Sequence, residues 1–136
     1  MSNLYKKLNK SSHMYDEEDD CAVIATAAVC GITYKKAHTM CKKAGRKNKD
    51  GMLTYTMIRM LEENGYYIES NILHPKQPNG HGYTAKTIEK ALKLNKRYLV
   101  FLKDHVFAMI EKDIIDTYAR NRNFRIERLI EVVDVN

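Results

Sequence analysis

Two short stretches of the chain hold side chains that could do chemistry together. In the first, Asp19 and Asp20 stand directly before Cys21, and Cys21 stands directly before the apolar run Ala22–Val29. A thiol at a helix entrance feels the positive end of the helix dipole, which stabilises the thiolate. In the second, His105 opens the apolar run 105–110 and Asp116 lies near the end of the next run, 113–117. A turn centred on Glu111 and Lys112 would set Phe107 opposite Asp116. His105 and Asp116 would then be diagonal neighbours on one face, roughly 7–8 Å apart at the backbone. A one-residue slip would send Asp116 to the other face. Thiol, imidazole and carboxylate are the parts of a nucleophile, a general base and its orienting group. The backbone N–H at the helix start could bind a developing oxyanion. The acids at 19 and 20 oppose a thiolate unless they turn to cap the helix.

Each residue alone has a commoner reading. A cysteine beside an apolar helix is usually a small core residue. A histidine at a strand start is usually hydrogen-bonded surface, and an Asp before Thr is often a turn former. The order of the three is what points to chemistry.

The elements that must position them follow from pattern and punctuation. Asp19 or Asp20 is a natural N-cap for a helix over 21–30. That helix has no polar face, so it must be buried on all sides. Gly31 ends it. Thr33 caps a second helix, 34–43, with Gly45 as its C-cap. The segment 46–51 is a loop, Thr54 caps a third helix over 55–64, and Gly65 stops it. Residues 66–73 read as a strand. The segment 74–83 is a loop holding both prolines and two glycines. Thr84 caps a fourth helix ending near 95. Short β-branched and aromatic runs at 97–103, 105–110, 113–117 and 124–135 read as strands. Helices first and sheet second is the α+β pattern. Residues 1–18 read as a polar arm without clear periodicity, roughly two turns at most if helical. The whole chain, 1–136, is expected to form one domain.

Bulk properties narrow the function classes. A formal net charge of +6 over 136 residues is modest. Basic residues gather at Lys42, Lys43, Arg46, Lys47 and Lys49, and again at Arg120, Arg122, Arg125 and Arg128. Such patches attract phosphates or acidic partners, but a solvated surface is the commoner meaning. No zinc-finger, RNP1-like or helix-turn-helix signature is present, so nucleic acid is the less favoured partner. No run of eighteen apolar residues exists, so no membrane partner is expected. The N-terminus has no apolar signal core. Cysteines at 21, 30 and 41 are odd in number and match no usual zinc spacing. A reducing cytoplasm fits them, with no metal and no cofactor expected. Cys30 and Cys41 read as structural. His74 and His81 read as loop residues rather than ligands. Tyr55, Tyr66, Tyr67 and Tyr83 could line a groove, though half-buried tyrosines more often seal a core. The loops 44–53 and 74–83 are where specificity is expected.

On these residues the chain resembles the papain-like cysteine peptidase superfamily, whose order is Cys at the start of a central helix, then His, then Asn or Asp on adjacent strands. It looks most like the small papain-like proteins of bacteriophages and bacteria. The matching stretches are DDCAVIATAAV, GITY, AGRKNKDG and HVFAMIEKDIIDT, across roughly residues 19–118. The resemblance implies a papain-like fold, a buried central helix on a C-terminal antiparallel sheet. It implies Cys21 as nucleophile, His105 as general base and acid, and Asp116 as orienter. It implies a protein or peptide substrate, a host protein if the chain is phage-encoded. No Gln precedes Cys21 and Ala22 follows it, where papain has a Gln and an aromatic residue. Asp16, Asp19, Asp20 or a backbone amide would then serve the oxyanion, and a carboxyl donates only when protonated. The expected function is hydrolysis of a peptide or other amide bond. The alternative is an inactive papain-like scaffold that binds an acidic protein or nucleic acid through its basic surface.

Overall fold

A helix built from Ala, Val, Ile and Thr with no polar stripe has no face to offer water. Every residue of the helix Cys21–Cys30 after the first is buried. The computed structural model describes residues 3–15, 17, 20–111, 113–115 and 125–134. Their elements are α1 (Asn3–Met14), α2 (Cys21–Cys30), α3 (Tyr34–Lys43), α4 (Thr54–Glu63), β1 (Tyr66–Leu73), a 3-10 turn at Ile88–Ala91, β2 (Arg97–Leu102), β3 (His105–Ile110), β4 (Asp113–Ile115) and β5 (Arg128–Asp134). This is an α+β fold with four helices and one five-stranded antiparallel sheet, in the order β1-β5-β2-β3-β4.

The alternation of strand side chains gives the sheet two buried faces. Leu99 and Phe101 of β2 and Val106 and Ala108 of β3 join the core that surrounds α2. Tyr98, Val100 and Leu102, with Phe107 and Met109, face the other way. Ala85, Ile88, Leu92 and Ile126 cover that second face. The β2–β3 hairpin therefore has apolar residues at nearly every position, as a strand buried on both sides requires.

Several expectations are corrected. The N-terminal arm contains a 12-residue helix rather than a polar tail. Tyr5, Leu8 and Ser12, at i, i+3 and i+7, are its buried stripe. With only two apolar residues in that stripe, its periodicity was too thin to read. The fourth helix expected from Thr84 shortens to the single 3-10 turn. Thr84 and Thr87 do exchange side-chain-to-amide bonds at 3.3 and 2.9 Å, a reciprocal cap. The chain then turns extended at Leu92, and the Lys93 amide donates to the Tyr98 hydroxyl instead of continuing a helix. Two cap positions shift by one residue. Leu53 rather than Thr54 is the N-cap of α4, and Ala44 rather than Gly45 is the C-cap of α3. Among the described residues no helix is long and apolar enough to cross a membrane.

If α1 is integral to the core, Leu8→Ala should destabilise the fold by about 2–5 kcal/mol, the range for truncating a buried leucine. Urea unfolding followed by circular dichroism measures this. A loss below about 0.5 kcal/mol, the level of an ordinary surface change, would mean that α1 does not pack against α2.

Candidate active site

Cys21 is the first residue of α2 and is half-buried. Asp20 takes the N-cap position but does not cap the helix with its side chain. Its Oδ2 instead accepts hydrogen bonds from Ser12 Oγ at 2.6 Å and from the Tyr34 hydroxyl at 2.7 Å. All three residues are buried. Burial, then the bond to Asp20 and its charge, push the Tyr34 hydroxyl well above the usual tyrosine range, so it remains a donor. The amides of Val23 and Ile24 donate to the Asp20 carbonyl oxygen. The amides of Cys21 and Ala22 have no acceptor among the described residues. Of the expected oxyanion carboxyls, Asp20 accepts hydrogen bonds rather than donating one, and it stands off the cleft described below. Asp16 and Asp19 lie outside the described residues.

A second buried carboxylate fixes the same approach to α2. Glu17 has a fully buried side chain, and Arg46 reaches it through both terminal nitrogens at 3.0 Å each. The Lys49 amide donates to it at 2.8 Å, and His38 Nε2 is bonded to its other oxygen. Burial alone would raise this carboxyl, but the bonds from Arg46, the Lys49 amide and His38 outweigh it and bring Glu17 down to about 2. Arg46 is therefore no part of a solvated basic patch, as its sequence neighbours suggested. Its guanidinium is interior, and its Nε donates to the Asp50 carbonyl at 2.6 Å. Lys42, Lys43, Lys47 and Lys49 are exposed.

His105 is the first residue of β3 and 5% exposed. It pairs with Leu102 across the tight turn Lys103–Asp104, where Asp104 takes a left-handed conformation with φ 57°. Asp is among the residues that tolerate that conformation. The imidazole lies 6.2 Å from the Phe107 ring, centre to centre. Strand alternation groups it with Phe107 and Met109, while Val106 and Ala108 pack under α2. By alternation the imidazole is thus grouped with the sheet face away from α2.

Cys21 and His105 line one cleft of about 440 Å³. Ala22 adjoins Cys21 there. The loop Gly51–Thr54 forms one wall, and Asp104 and Glu127 form the opposite rim. Leu53 is 67% exposed at the mouth. Cys21 makes no hydrogen bond among the described residues. Asp116 lies outside the described residues. The β3–β4 pairing of Ile110 with Asp113, Met109 with Ile114 and Ala108 with Ile115 has the two-residue-turn register anticipated for that hairpin. Glu111 accommodates the turn with φ 52°.

Sequence reasoning missed the residues that hold the site. Ser12, Glu17, Tyr34 and Arg46 position the approach to Cys21, and Asp104 and Glu127 shape the cleft. The signal was present in part, because Tyr34 ends GITY and Arg46 stands in AGRKNKDG. Among the described residues no group of three or more His, Cys, Asp and Glu could hold a metal ion. Comparison of the chain with known family models, with curated proteins and with solved structures found no match.

The three thiols should separate in reactivity. Burial pushes the Cys30 and Cys41 thiols up to about 12 and about 11, so neither is a thiolate near neutral pH. Brief iodoacetamide treatment of the folded protein at pH 7, read by peptide mass spectrometry, should modify Cys21 and spare the other two. Equal labelling of Cys30 or Cys41 would contradict their burial.

Glu17 should dominate the acid limb of stability. Its carboxyl is depressed in the folded state, so the stability it contributes is complete above the ordinary value of 4.5 and is lost as pH falls from there toward about 2. Glu17→Gln should cost roughly 3–5 kcal/mol at neutral pH, because it leaves Arg46 buried without a counter-charge. It should also flatten the decline in stability below pH 4.5. Denaturant unfolding across pH 3–7 measures both, and an unchanged acid limb would remove Glu17 from this role.

Proposed function

We propose that the chain is a papain-like cysteine-dependent hydrolase that cleaves a peptide or other amide bond. The observation that carries this reading is that Cys21, at the dipole-positive end of a buried helix, lines the same cleft as His105. In the proposed reaction His105 takes the Cys21 thiol proton as Sγ attacks the carbonyl carbon. The oxyanion of the tetrahedral species is held by the amides of Cys21 and Ala22, which no side chain caps among the described residues. His105 returns the proton to the leaving amine, and a thioester remains on Cys21. Water, deprotonated by His105, attacks the thioester and releases the acid and the free thiol. Asp116 is the proposed orienter of His105. The described pairing ends at Ala108 with Ile115 and keeps the expected register, in which Asp116 would oppose Phe107, two positions from His105. The proposed substrate is a protein or peptide, entering beside Leu53 and the Gly51–Thr54 wall.

A second reading has its own observation. Among the described residues Cys21 has no hydrogen bond, and alternation groups His105 with the core on the sheet face away from α2. That geometry suits a papain-like scaffold used only for binding. Unliganded catalytic pairs are often long and tighten only around substrate, so the two readings diverge in chemistry rather than in shape.

The alkylation rate of Cys21 as a function of pH separates them. For the hydrolase, the profile should sit below the free-thiol midpoint of about 8.5, and His105→Ala should move it back up. Cys21→Ala and His105→Ala should each abolish hydrolysis of a peptide substrate while leaving the circular dichroism spectrum unchanged. A Cys21 profile like that of a free thiol, indifferent to His105→Ala, would leave the binding scaffold.

A further inference from the structure

A second cavity, about 880 Å³, adjoins the Cys21–His105 cleft. Leu102, Asp104 and Glu127 line both, so the two spaces share a wall at the β2–β3 turn. The larger one runs under the loop that starts at His74. Its floor is apolar, formed by Pro75, Leu102 and Ile126, all buried. Its rim is cationic, formed by Lys76, Lys103 and Arg125, all exposed. Among the described residues none of these three cations has an ion-pair partner, even though Asp104 and Glu127 stand close by in the same wall. Unpaired cations above a dry floor are an electrostatic match for a chain that alternates apolar and acidic side chains.

The groove is built rather than incidental. The His74 amide donates to the Glu127 carbonyl at 2.7 Å, Tyr83 to Pro75 at 3.0 Å, Gln77 to His81 at 2.8 Å and Ile126 to Tyr83 at 2.9 Å. Two of these bonds brace the loop within itself, and those of His74 and Ile126 fasten it to the segment that enters β5. Gly82 then makes room for Arg125, since a Cβ at that position would stand 3.2 Å from Arg125 Nη1. A preformed groove binds without the ordering penalty that a loose loop would incur.

We propose that this groove is the specificity subsite of the cleft and that it selects an acidic polypeptide segment lying to one side of the reacting bond. Its role as a substrate subsite rests on the hydrolase reading above. Its charge preference does not. Asp104 and Glu127 sit between the two spaces and repel a carboxylate from the Cys21–His105 cleft. The acidic residues of the substrate therefore lie beyond that wall, over Lys76, Lys103 and Arg125, with apolar side chains against Leu102 and Ile126.

The test is binding by the full chain carrying Cys21→Ser, so that nothing is turned over. The probes are fluorescein-labelled heptapeptides of alternating leucine with glutamate, with glutamine or with lysine, read by fluorescence anisotropy. The glutamate peptide should bind at least ~10-fold more tightly than the glutamine peptide, a difference worth about 1.4 kcal/mol. Lys76→Glu combined with Arg125→Glu should abolish that preference, and added salt should erode it in the unsubstituted groove. Equal affinities, tighter lysine binding or no binding of any peptide overturns the proposal. So does a single-stranded oligonucleotide that binds more tightly than the glutamate peptide through the same two cations. Incubating the unsubstituted protein with the glutamate peptide distinguishes the two readings. Selective binding without cleavage keeps the groove and removes the hydrolase, whereas Cys21-dependent cleavage with no charge preference removes only the groove.

Discussion

Two buried carboxylates hold the chain where it enters its central helix. Glu17 is clamped by Arg46, His38 and the Lys49 amide, and Asp20 by Ser12 and Tyr34. A carboxylate removed from water is costly unless its oxygens are met by donors in good geometry. Here the donors come from α1, α3 and the loop after α3, so the ionic bonds tie three separate segments to the residues just ahead of Cys21. The position of the thiol is thus set by tertiary bonds on its N-terminal side and by apolar packing on its C-terminal side.

The consequence for the helix terminus is chemical as well as structural. Asp20 sits at the N-cap, where an Asp ordinarily turns its side chain back to bond the first-turn amides. Two hydroxyls draw that carboxylate away instead. Among the described residues nothing caps the amides of Cys21 and Ala22, next to a half-buried thiol. The arrangement gives up some helix stability, on the order of 1 kcal/mol for a lost cap, at residues that line the cleft. A site that keeps donors unspent in a stable fold is one in which local structure has yielded to another demand.

The sheet contributes through its thickness. Because β2 and β3 are covered on both faces, their connecting turn is held rigidly at the sheet's end, and His105 is the first residue beyond it. The same turn supplies the wall between the small cleft and the larger groove. One hairpin therefore carries His105, Asp104 of the divide and Lys103 of the rim, while Glu127 and Arg125 come from the segment entering β5 and Lys76 from the loop after β1. The spacing of the hairpin's three residues is set by the turn between β2 and β3.

Much of this was legible in the sequence where a single segment had to satisfy its own chemistry. The unbroken apolar run required a buried helix at 21–30, Thr33 marked the start of α3 with a side-chain cap at 3.2 Å, and the β-branched runs marked β2, β3 and the start of β4, while the last strand, expected from 124, begins at Arg128. The order of Cys21 and His105 suggested a shared site, and the β3–β4 register followed from turn length alone. Three features did not come through, because each depends on partners far away in the chain. The N-terminal helix α1 is held by a stripe of two apolar residues and a serine, meaningful only once α2 and Asp20 are there to receive it. Arg46 reads as one more surface charge until Glu17, 29 residues earlier, is found beside it. Strand alternation put His105 on the sheet face away from α2, so its sharing of one cleft with Cys21 shows only in the tertiary structure. Local pattern determined the elements, since propensity, period and capping act within a few residues. The clamps and the clefts were decided by the tertiary structure, since burial gives a charge its meaning only through the groups that surround it.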